Sequence, residues 1–465
     1  MSIEPIGVLT IVIGLVCLLL GYRPAFQFFV FATLFGAAAA ILIGSFNIQP
    51  AHLLLPIAAA ITLTRHREAA GAIRAMSVPE PGFWLMCLLL YGIISGILMP
   101  RLLAGSTQIV PLGLSEYPSN DSTVPLGPVS GNFTQGAYLA ADLICFTMTV
   151  AIASTRAGFM AIAGSLSAYA IGNTLFALLD LGTYATGTQW ILDFMRNAQY
   201  TLHSEEEVSG LKRIVGSFTE AAAFARSTLG VLGFTGTLWL CGRRPALNGA
   251  LALASVVLVV LSTSSTGLAS APLVLVILYA TALMRPSKSY TSAVLLCAAP
   301  LLVVALILAV LLNYEASETV RGYIDLLIVS KSASSSGIQR AFWNASALQN
   351  FFDSYGMGVG LGTVRTSSLL LALLSNVGVP GSIFYLLFVA SAFGRRRGIS
   401  GTFPADVRLA ARNACLSLII ADAFVSPFVE QGLLFYVLAG TVCAEPERNA
   451  SDLPDGLGRQ AGAKK

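Results

Sequence analysis

The stretch SGIQRAFWNASALQNFFDSYGMGVGLGTVRTSSLLLALLSNVGVPG, Ser336–Gly381, decides the fold. Its first half carries an arginine, several aromatics and four alternating glycines, and is too polar to lie in lipid. Its second half is a membrane-length apolar run. The segment therefore lies at a membrane surface and then enters the bilayer.

The composition around it agrees. Hydrophobic residues make up 55% of the 465 and charged residues only 11%, against roughly 25% charged in a soluble domain. Apolar runs recur near 6–20, 25–45, 50–64, 82–103, 135–154, 157–180, 214–240, 246–263, 265–284, 291–313, 368–393, 407–424 and 427–443. They predict an all-α polytopic transmembrane helical bundle of about 12–13 spans, because helices satisfy every backbone polar group in lipid. Residues 1–445 read as a single membrane domain, and 446–465 as a disordered cytoplasmic tail. The N-terminus lacks a basic leader and a small-residue cleavage site, so the first run is expected to stay as a span. Seven cysteines, mostly inside apolar runs, show no CxxC pair and read as buried thiols.

Basic residues sit in short connections: Arg65, Arg67 and Arg74; Arg156; Arg243 and Arg244; Arg285 and Lys288; Arg395–Arg397. Simple alternation of the runs puts all of them on one side, which the positive-inside rule makes cytoplasmic. The same alternation puts three longer loops outside, 104–134, 181–213 and 314–367. The late loop is expected to be partly helical. Ile338, Phe342, Ala345 and Phe352 recur at helical spacing, so 337–352 reads as an amphipathic surface helix with Arg340 and Asn344 on its other face.

Two segments hold candidate chemistry. Arg213 and Glu220 flank the start of a span, and in one continuous helix they would share a face. Charges at membrane depth mark a functional interior; alternatively Arg213 snorkels to headgroups and Glu220 pairs with Arg226. In the late loop, Gly356, Gly358, Gly360 and Gly362 precede Arg365. They form either a plain turn or a backbone cradle beside a guanidinium suited to phosphate oxygens. Asp422 and Glu430 flank a break at Ser426–Pro427 and read as caps of that turn. There is no P-loop, GxSxG, HExxH or DxD pair, so no metal site, cofactor, nucleotide donor or nucleic-acid partner is expected.

The chain resembles the O-antigen ligase and O-antigen polymerase superfamily, membrane glycosyltransferases of the C type. The likeness rests on Arg-Ile-x-Gly-Ser-Phe at 213–218 before a span, on Arg340 and Trp343 followed by GxGxG, and on Asn376, Gly378 and Gly381 in the next helix. It implies a multi-pass protein of the bacterial inner membrane whose periplasmic active site takes undecaprenyl-pyrophosphate-linked glycans as donor and acceptor. Such a protein works among membrane lipids and can pass its product to a chain-length regulator. The His-Asn pair that follows the glycines in ligases and many polymerases is replaced here by Arg365, Thr366, Ser367 and Ser368, and Thr219 and Glu220 stand where many relatives have Asn-Pro-Asn. This favours a polysaccharide polymerase of exopolysaccharide, capsule or O-antigen repeats over ligase-type transfer to another acceptor, with a lipid-linked oligosaccharide flippase as the rival from another class. On that reading Arg213 and Arg365 hold the pyrophosphate and Glu220 is the base. Arg340, Trp343, Asp353, Tyr355, Gly358 and Gly360 line the substrate, Asp353 being the second candidate for the base.

Overall fold

A computed structural model describes residues 2–446 apart from 44–45, 118–121, 200–201, 204–205, 209, 286–288, 326–333 and 396. The predicted tail, apart from Pro446, lies outside the described residues, as do Pro118, Glu205, Lys288 and Arg396. The chain is an all-α bundle. In order it forms α1 (Pro5–Leu20), α2 (Tyr22–Ala32), α3 (Pro50–Leu63), α4 (His66–Ala75), α5 (Pro81–Leu102), α6 (Ser130–Ala153), α7 (Arg156–Thr186), α8 (Ala221–Leu240) and α9 (Pro245–Leu261). There follow α10 (Ser265–Met284), α11 (Tyr290–Leu312), α12 (Tyr314–Ile324), α13 (Ser335–Asp353), α14 (Leu369–Ala372), α15 (Gly378–Phe393), α16 (Phe403–Val425) and α17 (Leu433–Cys443).

Local chemistry explains many of the starts. Pro5, Pro50, Pro81 and Pro245 occupy first-turn positions, where proline loses no hydrogen bond. Thr155, Ser264, Ser289 and Ser334 accept from first-turn N–H groups. Among the described residues six helices are long and apolar enough to cross a membrane: α5, α6, α7, α10, α11 and the segment Leu369–Phe393. Four shorter apolar helices, α1, α3, α9 and α17, accompany them. The chain is thus a multi-pass membrane protein. Two predicted spans are corrected. The run 25–45 ends its helix at Ala32 and continues into β2 (Ile41–Ile43), which pairs with β1 (Ser2–Ile3) and β3 (Phe46–Ile48). The run 214–240 becomes helical only at Ala221, and Arg213 lies beyond β7 (Leu211–Lys212), outside any helix.

Several of the basic connections meet at one end of the bundle. There Asp406 accepts from Arg243 and Arg285, both at 2.8 Å, and Arg395 approaches Glu80 at 3.6 Å. The long loops meet at the other end, called here the loop end. α8 is the most enclosed helix; only Ala223, Arg226 and Trp239 escape full burial. Its small residues allow this. A Cβ on Gly233 would lie 2.5 Å from Ser417 Oγ and 3.0 Å from Ala414 Cα, so α8 and α16 are in backbone-level contact.

At the loop end the glycine run is packed, not open. Gly356, Gly358, Gly360 and Gly362 all have positive φ. A side chain at Gly360 would strike Ser95 O at 2.9 Å and one at Gly362 would strike Gly131 O at 2.2 Å, which wedges the loop between α5 and α6. From the other side, Val359 N donates to Ser375 O (2.8 Å), Gly360 N to Asn376 O (2.9 Å) and Val364 N to Asn376 Oδ1 (3.0 Å). Those acceptors sit in a π-turn, Leu373–Val377, that joins α14 to α15. Gly378 closes the joint at φ 62°, its Cα facing Met357 O, which a Cβ would approach to 2.3 Å. Gly378→Ala should therefore lower stability by at least about 2 kcal/mol through combined strain and overlap. Gly187→Ala, at a similar φ of 68° with no atom within 4 Å, should cost only the left-handed backbone strain, about 1–2 kcal/mol. Thermal unfolding of the two purified variants in detergent makes the comparison.

Candidate functional site

Four segments converge at the loop end. The first, 104–129, carries the short pair β4 (Gln108–Ile109) and β5 (Val124–Pro125) and is stitched to the glycine loop: Leu112 N donates to Thr363 O (2.9 Å) and Arg365 N to Val110 O (3.0 Å). The second is the hairpin β6 (Glu207–Val208) and β7, which leads into residues 213–220. The third is α13, helical as predicted, with the glycine loop behind it. The fourth is the break at 426–432 between α16 and α17, tied to the loop when Thr366 Oγ1 donates to Ser426 O (3.2 Å).

Arg365 is the focus. Its guanidinium lies 4.3 Å from the centre of the Trp343 ring, a cation–π arrangement. Asn344, one residue further along α13, accepts from Ser367 N at 2.9 Å, so α13 grips both sides of the arginine. Among the described residues Arg365 has no ion pair or side-chain hydrogen bond. Desolvation of one side of the guanidinium holds its pKa below the usual arginine value and the negative charge of Glu220 opposes that shift, while the side chain keeps an exposed face. It stays protonated at any working pH. Glu220, the residue before α8, is half-buried and engages no side-chain partner among the described residues. The structure thus brings Arg365 and Glu220 within electrostatic reach of each other without joining them. Arg340, one turn before Trp343 on α13, is half-buried and likewise without an ion pair among the described residues.

Other predicted site residues are engaged elsewhere. Arg213 pairs with Glu206, which also meets His203 Nδ1 at 2.5 Å, while the buried Arg213 Nε has no hydrogen-bond partner among the described residues. Asp353 Oδ2 accepts from Thr107 Oγ1 (2.6 Å) and Oδ1 from Gln349 Nε2 (2.7 Å), so its carboxylate anchors α13 to the 104–129 segment. Tyr355 is 93% exposed at a turn with φ 52°. Gly358 N donates to Ser354 Oγ (3.0 Å) and Gly360 N to Asn376 O (2.9 Å), so neither N–H is available to an anion.

Four acids, three of them buried, were not singled out as site residues, or were assigned other partners. Arg226 pairs with Asp422, not with Glu220: its Nη2 reaches Asp422 Oδ2 at 2.8 Å and Gln431 O at 2.7 Å. Asp422 is therefore an ion-pair partner beneath the site, not merely the cap of a turn. Glu430 Oε2 accepts from Gly432 N at 2.6 Å within the adjoining break. Asp180, at 1% side-chain exposure, receives Arg196 Nη2 at 2.7 Å and Lys212 Nζ at 3.5 Å. It also receives Val215 N (2.9 Å) and Gly216 N (3.0 Å), which holds the 213–220 segment against the end of α7. Asp142 is 2% exposed in α6, with no hydrogen bond to its Oδ2 among the described residues. The signal for Asp142 and Asp180 was their place as lone acids inside apolar runs. Comparison with family models, with curated proteins and with solved structures returns no match to this chain.

Asp180→Ala should destabilise the protein by about 3–5 kcal/mol by stranding Arg196 and Lys212. It should also open the 196–220 segment to limited proteolysis, read as cleavage within that segment before global unfolding.

Proposed function

We propose that the chain is a membrane glycosyltransferase that polymerises undecaprenyl-pyrophosphate-linked oligosaccharide repeats at the periplasmic face of a bacterial inner membrane. The observation that carries this reading is the pair Arg365 and Glu220: a cation fixed on Trp343 and a carboxylate within electrostatic reach of it, each without an ion-pair partner among the described residues. A leaving pyrophosphate concentrates negative charge, and a guanidinium that is exposed and held in place by the Trp343 ring stabilises it as it develops. Arg340, on the same face of α13 as Trp343, adds a second cation for the diphosphate. Glu220 takes the proton of the acceptor hydroxyl as that oxygen attacks the anomeric carbon and the glycosyl–phosphate bond breaks. Trp343 offers an aromatic face, and its stacking on Arg365 keeps the fork aimed without neutralising it.

The geometry shifts weight among the candidates. Arg213, paired with Glu206, positions the 213–220 segment that carries Glu220, and Asp353, already bonded twice, serves as an anchor and not as a base. The glycines act by holding Arg365 in place. Ligase-type transfer and flipping of the lipid-linked glycan are the two other outcomes of the same experiment.

Protein reconstituted with lipid-linked repeats should lengthen the glycan without nucleotide. Arg365→Ala and Arg365→Lys should each lower the rate roughly 100-fold or more, and Glu220→Gln should lower it by a similar factor, all with unchanged thermal unfolding. Translocation of the glycan without lengthening, or full activity in the Arg365 variants, would sink the assignment.

A further inference from the structure

A line of polar side chains runs down one face of α6. Gln135, Tyr138, Asp142, Cys145 and Thr149 follow one another at three- and four-residue steps in a helix that is otherwise largely apolar. Gln135 sits at the top, beside the glycine loop, where a Cβ on Gly362 would lie 2.9 Å from its own Cβ. Asp142 is 12 residues into the helix from Ser130, about 18 Å at ~1.5 Å per residue and so deep in the apolar layer.

Four polar atoms around this line are buried and have no hydrogen-bond partner among the described residues: Gln135 Oε1, His52 Nδ1, Asp142 Oδ2 and Tyr436 Oη. Buried polar atoms are seldom left so, and four along one path is a concentration. His52 of α3 lies against Tyr138, ring centres 5.0 Å apart. Tyr436 of α17 lies within electrostatic reach of Asp142, Cys145, Tyr385 and Glu430. Glu430 is in turn within reach of Asp142 and of Arg226 with Asp422 at the loop end. The path therefore has a mouth at Gln135, a deep end at Asp142, and a second acid, Glu430, leading back to the loop end.

Among the described residues, the other elements packed on α6 form no ion pair with Asp142; Arg101, in the last turn of α5 at the loop end, donates to Ile97 O (2.6 Å). Gly71 of α4 contacts Ala151, nine residues and about 13 Å further down, so the charges Arg67, Glu68 and Arg74 of that helix sit near the basic end. On α5, Tyr91 donates to Met357 O. On α7, Tyr169 bonds Ser227 and Asp180 bonds Arg196, while Arg156 begins the helix at the basic end. A bare carboxylate at this depth is costly, and a bound cation or a bound proton removes the cost. Among the described residues no three His, Cys, Asp or Glu side chains converge as a metal ion would need. A proton needs only the one oxygen.

We propose that this column is a proton path from the loop end to Asp142, and that Asp142 is a proton-binding site within the membrane. Acids on such paths take up and release protons as the bundle changes shape, so the site gives the protein a proton-linked property separate from any glycosyl chemistry at Arg365.

Infrared spectroscopy of the full-length protein in lipid nanodiscs tests this without a substrate. At neutral pH the wild type should show a protonated-carboxyl C=O band that shifts on transfer to D2O. Asp142→Asn, close to the protonated acid in shape, should lose that band while keeping its thermal unfolding midpoint. Gln135→Leu, which removes the polar atom at the mouth, should keep the band and slow its shift several-fold. An Asp142→Asn spectrum superimposable on the wild type would overturn the site. A band that never shifts in D2O, or shifts in Gln135→Leu at the wild-type rate, would overturn the path.

Discussion

The ion pair between Arg226 and Asp422 is the constraint on which the loop end depends. Each charge would be untenable alone at the edge of an apolar layer, so α8 and α16 must meet at one height and in one rotation. The glycines of α8 make that meeting possible by letting the two backbones touch further down. Because Arg226 also donates to Gln431 O, and Gln431 receives the Tyr385 hydroxyl at 2.7 Å, the pair fixes α15 and the 426–432 break as well. Every residue of the proposed site is positioned from this point: Glu220 precedes α8, and Arg365 is tied through Thr366 to the break.

Local pattern made the helices legible. The 3.6-residue recurrence of Ile338, Phe342, Ala345 and Phe352 located α13 to within two residues at its start, and proline or serine marked many other starts. The alternation of basic and long connections was likewise readable, since it needs only the order of the runs. The start of α8 was not. Residues 214–218, Ile-Val-Gly-Ser-Phe, read as the opening of the apolar run, and what keeps them out of the helix is Asp180 holding the N–H groups of Val215 and Gly216, with Ser217 bonded to Leu34 O at 2.7 Å. Those partners lie 35 to 183 positions away, beyond any local periodicity.

The same limit applied to the glycines. Their permissive backbone was evident, but whether that freedom served a ligand or a close approach depended on Ser95, Pro100 and Gly131, far off in the chain. The outcome recasts the motif as a joint. The loop's N–H groups are turned inward onto the π-turn, and Arg365 emerges from a rigid base onto Trp343. Rigidity of this kind suits electrostatic stabilisation, which works best when the charge need not reorganise.

α11 is built on the opposite plan. Among the described residues none in its most apolar window is buried, and it is moored at one end, where Ser289, Thr291 and Ser292 donate to Leu240 O and Trp239 O. Its interior positions are therefore held only to an average apolarity, and any one of them can be exchanged for another aliphatic residue. α8 has no such latitude, since a single added methyl at Gly233 would displace α16. Over generations the two helices should accumulate substitutions at very different rates, and the slow one is the record of what the protein has to keep.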